Sequence, residues 1–252
     1  MTRHYNSANL FSRPGLRSTG SEPEAGEMDQ EADKRVKQGW PTWVRELVRK
    51  TLHIGVIVLA LPLHWLNWWY SLGFALVAFI WNALGMPRYF KFTFREDELK
   101  AGYSVGMLSY PIVVMILAVI FPLPIAASQW AALSIGDGFA TLFGEAFGTK
   151  KLPWNKDKSY AGSLAFVVFA TFGSTFFFFF TIDNVQGSSF LWQGHALLVH
   201  LTTFHLGEMF LICFLSSVAG AAFESLPYQP IDDNVSAPLF GAITKLLLCY
   251  LL

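Results

Sequence analysis

Residues 134–163 read SIGDGFATLFGEAFGTKKLPWNKDKSYAGS. They close one apolar run, 125–147, and open another, 160–182. Asp137 stands between two glycines, and Lys150, Lys151, Lys156 and Lys158 follow. About 20 apolar residues suffice to cross a bilayer as a helix. The stretch therefore reads as the end of one span, a basic loop, and the start of the next. Pro153 prevents the first helix from continuing. Ser159 occupies a natural N-cap position for the second.

The rest of the chain fits the same picture. Of 252 residues, 53% are hydrophobic and 14% charged, where a soluble domain carries about 25% charged residues. Further apolar runs fall near 52–66, 68–84, 103–121, 197–222 and 237–252. The segment 190–222 is long enough to hold a surface helix ahead of its span. The fold expected is all-α: a polytopic membrane helical bundle of about seven transmembrane helices with a cytoplasmic N-terminus. Residues 41–252 form the membrane domain. Residues 1–40 are polar, with too little apolar surface to fold, and read as a disordered cytoplasmic tail. The first twenty hold three Arg and no acid, as organelle-targeting segments do.

Charge placement supports this layout. With the N-terminus cytoplasmic, 17 of the 18 Lys and Arg fall on one side, as the positive-inside rule requires. The exception is Lys245, inside the last run. Cys213 and Cys249 also lie in apolar runs, without the short spacing of a zinc site.

Gly136, Ala140, Gly144 and Gly148 recur every fourth residue, a small-residue stripe for close helix packing. Asp137, Thr141 and Glu145 recur on the adjoining face. Packing does not explain a carboxylate at membrane depth, which costs at least ~2.5–3.5 kcal/mol on insertion scales. A basic loop alone would fix topology and touch anionic lipid. Beside Asp137 it suits a nucleotide polyphosphate with Mg²⁺, an ion that favours one or two carboxylates plus phosphate oxygens. The free N–H groups at a helix start would add to anion binding. Lys158-Ser159 resembles the end of a Walker loop, but Asp157 occupies its glycine position. A second acidic cluster, Glu224, Asp232, Asp233 and Asn234, lies at 223–236 on the same expected face. Glu46, Arg49, Lys50 and His53 line one side of a helix entering the first span. His200, His205 and Glu208 are spaced wrongly for a shared metal.

These motifs resemble, in order, three signatures of the CTP-dependent lipid-alcohol kinases, the family of phytol kinase, dolichol kinase and yeast-type diacylglycerol kinase. They are Glu46-x-x-Arg49-Lys50-x-x-His53, the stretch from Gly136 to Ser163, and ESLPYQPIDDNVSAPL from Glu224. The wording is nearest the phytol-kinase branch. The resemblance implies transfer of the γ-phosphate of CTP to an isoprenoid alcohol at the cytoplasmic rim. Asp137 and Asp233 would hold Mg²⁺, with Glu224 or Asp233 taking the hydroxyl proton. Gly136, Lys150, Lys151, Lys158, Ser159, Gly162, Asn234, Arg49, Lys50 and His53 would contact nucleotide or phosphate. Many members carry a basic residue where Glu145 stands, so Lys150 or Lys151 would supply that cation here. Many also carry an acid where Ala161 stands. Membrane lipids and a long-chain alcohol are the expected partners, and nucleic acid is not. The expected membrane is plasma or thylakoid in a bacterium, chloroplast or endoplasmic reticulum in a eukaryote. Rival readings are a membrane cytidylyltransferase, an ion-coupled transporter, and a membrane-anchored scaffold.

Overall fold

A computed structural model describes residues 42–94, 96–227 and 232–252. The tail expected over 1–40 lies outside the described residues. Helix α1 (Thr42–Gly55) runs on as a 3₁₀ turn, Val56–His64, that carries Pro62. Helix α2 (Trp68–Ile80) starts on Asn67, whose side chain accepts from the Trp69 N–H. A π turn, Trp81–Gly85, leads into α3 (Met86–Tyr89). The short α4 (Glu96–Ala101) precedes α5 (Val105–Ile120), capped by Ser104. Helix α6 (Leu123–Ala131) passes through a π segment, Ala132–Asp137, into α7 (Gly138–Phe147). Then come α8 (Tyr160–Thr181), α9 (Ala196–Leu201), α10 (Leu206–Glu224) and α11 (Asp233–Leu251).

Among the described residues, five helical stretches are long and apolar enough to cross a membrane: 46–64, 68–89, 160–187, 206–224 and 234–251. Each expected run contains helix, but two differ from a plain span. Val105–Ile120 has 16 residues, about 24 Å of helix against a ~30 Å hydrocarbon core. The run 123–147 is interrupted by its π segment. The short helix anticipated ahead of the 197–222 span is α9. Phe172, Phe176 and Phe179 of α8 are more than half exposed. An apolar outer face of that kind suits lipid rather than water. The protein is a multi-pass integral membrane protein.

Helix α8 is the hub, packed on α6, the π segment, α7 and α10. Its inner face carries Ala165, Ala170, Gly173 and Ser174, all buried. Lipid offers no hydrophobic drive between helices, so close backbone approach must supply the packing. At Gly136, an added Cβ would lie 2.7 Å from the Ala170 Cβ. The small-residue stripe is thus a packing face.

The loop between α7 and α8 folds back as a hairpin, with the Leu152 N–H donating to the Lys158 carbonyl (3.0 Å) and Tyr160 N–H to the Lys150 carbonyl (3.1 Å). The hairpin delivers Ser159 to the start of α8, where its Oγ accepts from the Gly162 N–H at 3.1 Å. Ser159→Ala removes that cap and should cost about 1 kcal/mol of stability, read as a lower unfolding midpoint in detergent. An unchanged midpoint would show that the hairpin, not the cap, holds this helix start.

Candidate functional site

Three segments distant in sequence supply the charged groups. Asp137 closes the π segment, a feature often found at functional sites. Its Oδ2 accepts from Lys50 Nζ at 2.8 Å and lies 3.4 Å from His53 Nε2. Lys50 and His53 are one turn apart on α1, so one helix face presents both. Gly138 admits that face, because a side chain there would run into Ile54 of α1. The His53 Nε2 also sits 3.1 Å from the Leu133 carbonyl oxygen. The ring packs edge-on against Tyr110, with centroids 4.7 Å apart. The Tyr110 hydroxyl in turn accepts from Trp130 Nε1 at 2.7 Å and bonds Ser134. His53 is therefore fixed in place by neighbours on two sides.

The hairpin brings a second lysine. Lys158 Nζ donates to Glu224 Oε1 at 2.6 Å. Glu224 ends α10, where a carboxylate opposes the helix dipole unless a cation offsets it. Asn155 Nδ2 donates to the Ser225 carbonyl (3.2 Å) and Trp154 Nε1 to Ser225 Oγ (3.2 Å). These bonds dock the hairpin on the end of α10. The lysine loop and the acidic 223–236 segment thus meet on one face, as the charge pattern predicted.

Asp137 and Glu224 line one cleft. Asn234 lies beside them, and Gln129, Ser216 and Ser217 form its deeper wall. No three His, Cys, Asp or Glu side chains among the described residues form a ready metal cluster. Two carboxylates facing one cleft nevertheless fit Mg²⁺, which keeps waters and takes the rest of its shell from phosphate. The Asp233 backbone opens α11, but its side chain lies outside the described residues.

Several expected contacts fall elsewhere. Arg49 points to the 91–101 segment, donating to both carboxylate oxygens of Glu98 at 2.8 and 3.2 Å. It ties that segment to α1. Gly136 is buried against Ala170 and Phe166, a packing role. The Ser159 hydroxyl is buried in its cap. The N–H groups of Tyr160, Gly162 and Ser163 are all bonded within the protein. The Ser159 and Gly162 groups are thus engaged within the protein, while the lysine side chains of the hairpin lie at its surface. Lys150 and Lys151 are exposed on the hairpin. His205 and Glu208 form the capping box of α10, with the His205 N–H donating to Glu208 Oε2 at 2.8 Å.

Gln129, Ser216, Ser217 and Tyr110 were not anticipated. A lone amide and a serine pair inside apolar runs were the available signal, since polar groups at membrane depth need partners.

The chain is 33% identical over 158 residues to a probable phytol kinase, chloroplastic, of Triticum aestivum, covering 61% of this chain and 46% of that protein. It is 34% identical over 128 residues to farnesol kinase, chloroplastic, of Arabidopsis thaliana, covering 50% and 36%. It is 33% identical over 137 residues to phytol kinase 1, chloroplastic, of Arabidopsis thaliana, covering 53% and 40%. The chain spans less than half the length of these relatives. No family model matches it. No solved structure matches it either.

Proposed function

This chain is a relative of the phytol kinase-like lipid-alcohol kinases, and on that premise we propose that it phosphorylates an isoprenoid alcohol with CTP as donor. One observation carries the reading. Asp137, paired with Lys50 and close to His53, lines the same cleft as Glu224, which is paired with Lys158, in a largely apolar bundle. Phosphoryl transfer asks the protein mainly for positioning and charge neutralisation, and these are the groups for it.

Asp137 and Glu224 are the residues that would hold Mg²⁺, which when bound neutralises phosphate charge. Lys50 and Lys158 would turn from their carboxylates to phosphate oxygens, and exposed Lys150 and Lys151 would draw the nucleotide in. The alcohol oxygen would form the new bond to the γ-phosphorus as the bond to the β–γ bridging oxygen breaks, releasing CDP. The hydroxyl proton would pass to Glu224 or Asp233. His53, seated by Leu133 and Tyr110, would keep Asp137 in place.

The acceptor has its own route. A shallow apolar groove is lined by Val56, Leu59, Phe74, Ala75, Tyr110 and Trp130. Leu59 is 38% exposed on the outer face, so a lipid tail can enter sideways. Tyr110 at its inner end touches His53, which adjoins Asp137. Donor and acceptor would then approach Asp137 from opposite sides.

The test is direct. The chain in lipid nanodiscs is given γ-labelled CTP, Mg²⁺ and a panel of phytol, farnesol, geranylgeraniol and polyprenol. Label should pass to at least one alcohol with release of CDP. Ala75→Phe, which fills the groove, should reduce turnover of the long alcohols more than of farnesol. Release of pyrophosphate would instead identify a cytidylyltransferase. Absence of any labelled lipid would overturn the reading.

A further inference from the structure

The deeper wall of the polar cleft is unused by the chemistry above. There, Ser217 on α10 is 3% exposed and its Oγ has no hydrogen-bond partner. This is unusual for a hydroxyl inside a membrane helix, which normally bonds back to a carbonyl of its own preceding turn. Its neighbour Ser216 does so, to Cys213 at 3.1 Å, as do Thr171 to Val167 and Thr181 to Phe177, both at 2.6 Å. Ser217 instead lines the cleft. Gln129 lines it too, buried, with Nε2 in a long 3.4 Å contact to Ser216 Oγ. Helix α11 passes over this amide because Gly241 has no side chain, and a Cβ there would sit 2.8 Å from Gln129 Oε1.

We infer that this wall seats the nucleobase of the phosphate donor, with the Ser217 hydroxyl and the Gln129 amide hydrogen-bonding its edge. The inference rests on the phosphoryl-transfer reading of the rim and adds what selects the nucleotide. Two observations support it. The wall offers neutral donors and acceptors beside the Phe166 ring, which suits a flat neutral heterocycle and not a phosphate. Gln129 lies eight residues before Asp137, and Ser217 seven before Glu224. At about 1.5 Å per residue those intervals place the wall roughly 10–12 Å from the acidic rim. A reacting alcohol must sit ~3–3.5 Å from the phosphorus, so a hydroxyl held at Ser217 is out of range. The base of an extended nucleoside triphosphate is not, because ribose and phosphates bridge the interval.

The experiment compares binding of Mg-CTP and Mg-tripolyphosphate by calorimetry, using the full chain in nanodiscs. Ser217→Ala removes only an unpartnered hydroxyl and should leave the fold intact. It should weaken CTP about five- to tenfold, the worth of one hydrogen bond, while inorganic tripolyphosphate changes less than about twofold. Ser217→Val, which narrows the wall, should weaken CTP further and again spare tripolyphosphate. Equal affinity of the wild type for CTP and tripolyphosphate would overturn the base seat and leave the phosphoryl site standing. CTP affinity unchanged in both variants would do the same. A wild type that binds neither compound overturns the base seat and the rim reading together.

Discussion

Asp137→Asn is expected to lower lipid-alcohol phosphorylation by at least about 10²–10³-fold, the scale on which removal of one charge-stabilising group acts in a preorganised site. Asparagine keeps the size of the side chain but not its charge, so the loss should appear in kcat, with a stability loss from the unpaired Lys50 measured alongside. A second measurement separates chemistry from architecture. Asp137 and Lys50 form a 2.8 Å ion pair with side chains only 16% exposed. Lys50→Met leaves the carboxylate without its closest cation, and breaking such a pair costs about 3–5 kcal/mol. His53 remains 3.4 Å away, which places the expected loss at the lower end. Adding Asp137→Asn to Lys50→Met should restore stability but not turnover, since the two residues are coupled. Near-normal turnover of Asp137→Asn would remove Asp137 from the reaction. The polar cleft would then need another metal-holding group.

Lys245→Ala is expected to have the largest effect on stability, with no direct effect on chemistry. Lys245 is fully buried in α11, and its Nζ donates to Ser128 Oγ at 2.7 Å and Ser174 Oγ at 2.5 Å. It lies 5.5 Å from the centre of the Phe178 ring. Through these bonds α11 is pinned to α6 and α8. Truncation to Ala leaves a cavity at the centre of the bundle and should cost about 2–5 kcal/mol, the range for long core side chains. Lys245→Met keeps the length without the amine. Among the described residues no carboxylate pairs with Lys245, so no partner charge is stranded by the change. Apolar replacement of a buried charged residue is often neutral or stabilising, and the methionine variant should unfold at or above the wild-type midpoint. A methionine variant as unstable as the alanine one would show that the two serine hydrogen bonds, rather than filled volume, hold this part of the bundle.

Lys245 also marks where sequence reading stopped. It stood out as the one basic residue inside an apolar run, but its partners come from helices 71 and 117 residues away. No local pattern encodes such a pairing. Arg49 is the reverse case. Helical spacing rightly put it on α1 with Lys50 and His53, yet it turns to Glu98 while they turn to Asp137. One residue of offset rotates a side chain about 100° around a helix, and the neighbours decide what it meets. Gly162 is a third case. The helix start was legible, but not that a serine cap and hairpin bonds already satisfy its N–H groups.

What the sequence by itself determined was the membrane bundle, the small-residue face and the presence of acids and lysines without apolar purpose. Each follows from rules local to a helix: apolar length, a period near four, and the cost of charge in lipid. The tertiary structure alone decided which acid meets which base, that the lysine hairpin docks on α10, and that Ser217 turns into the cleft. Those outcomes depend on how α1, α8, α10 and α11 cross, and crossing is set by contacts between residues far apart in the chain.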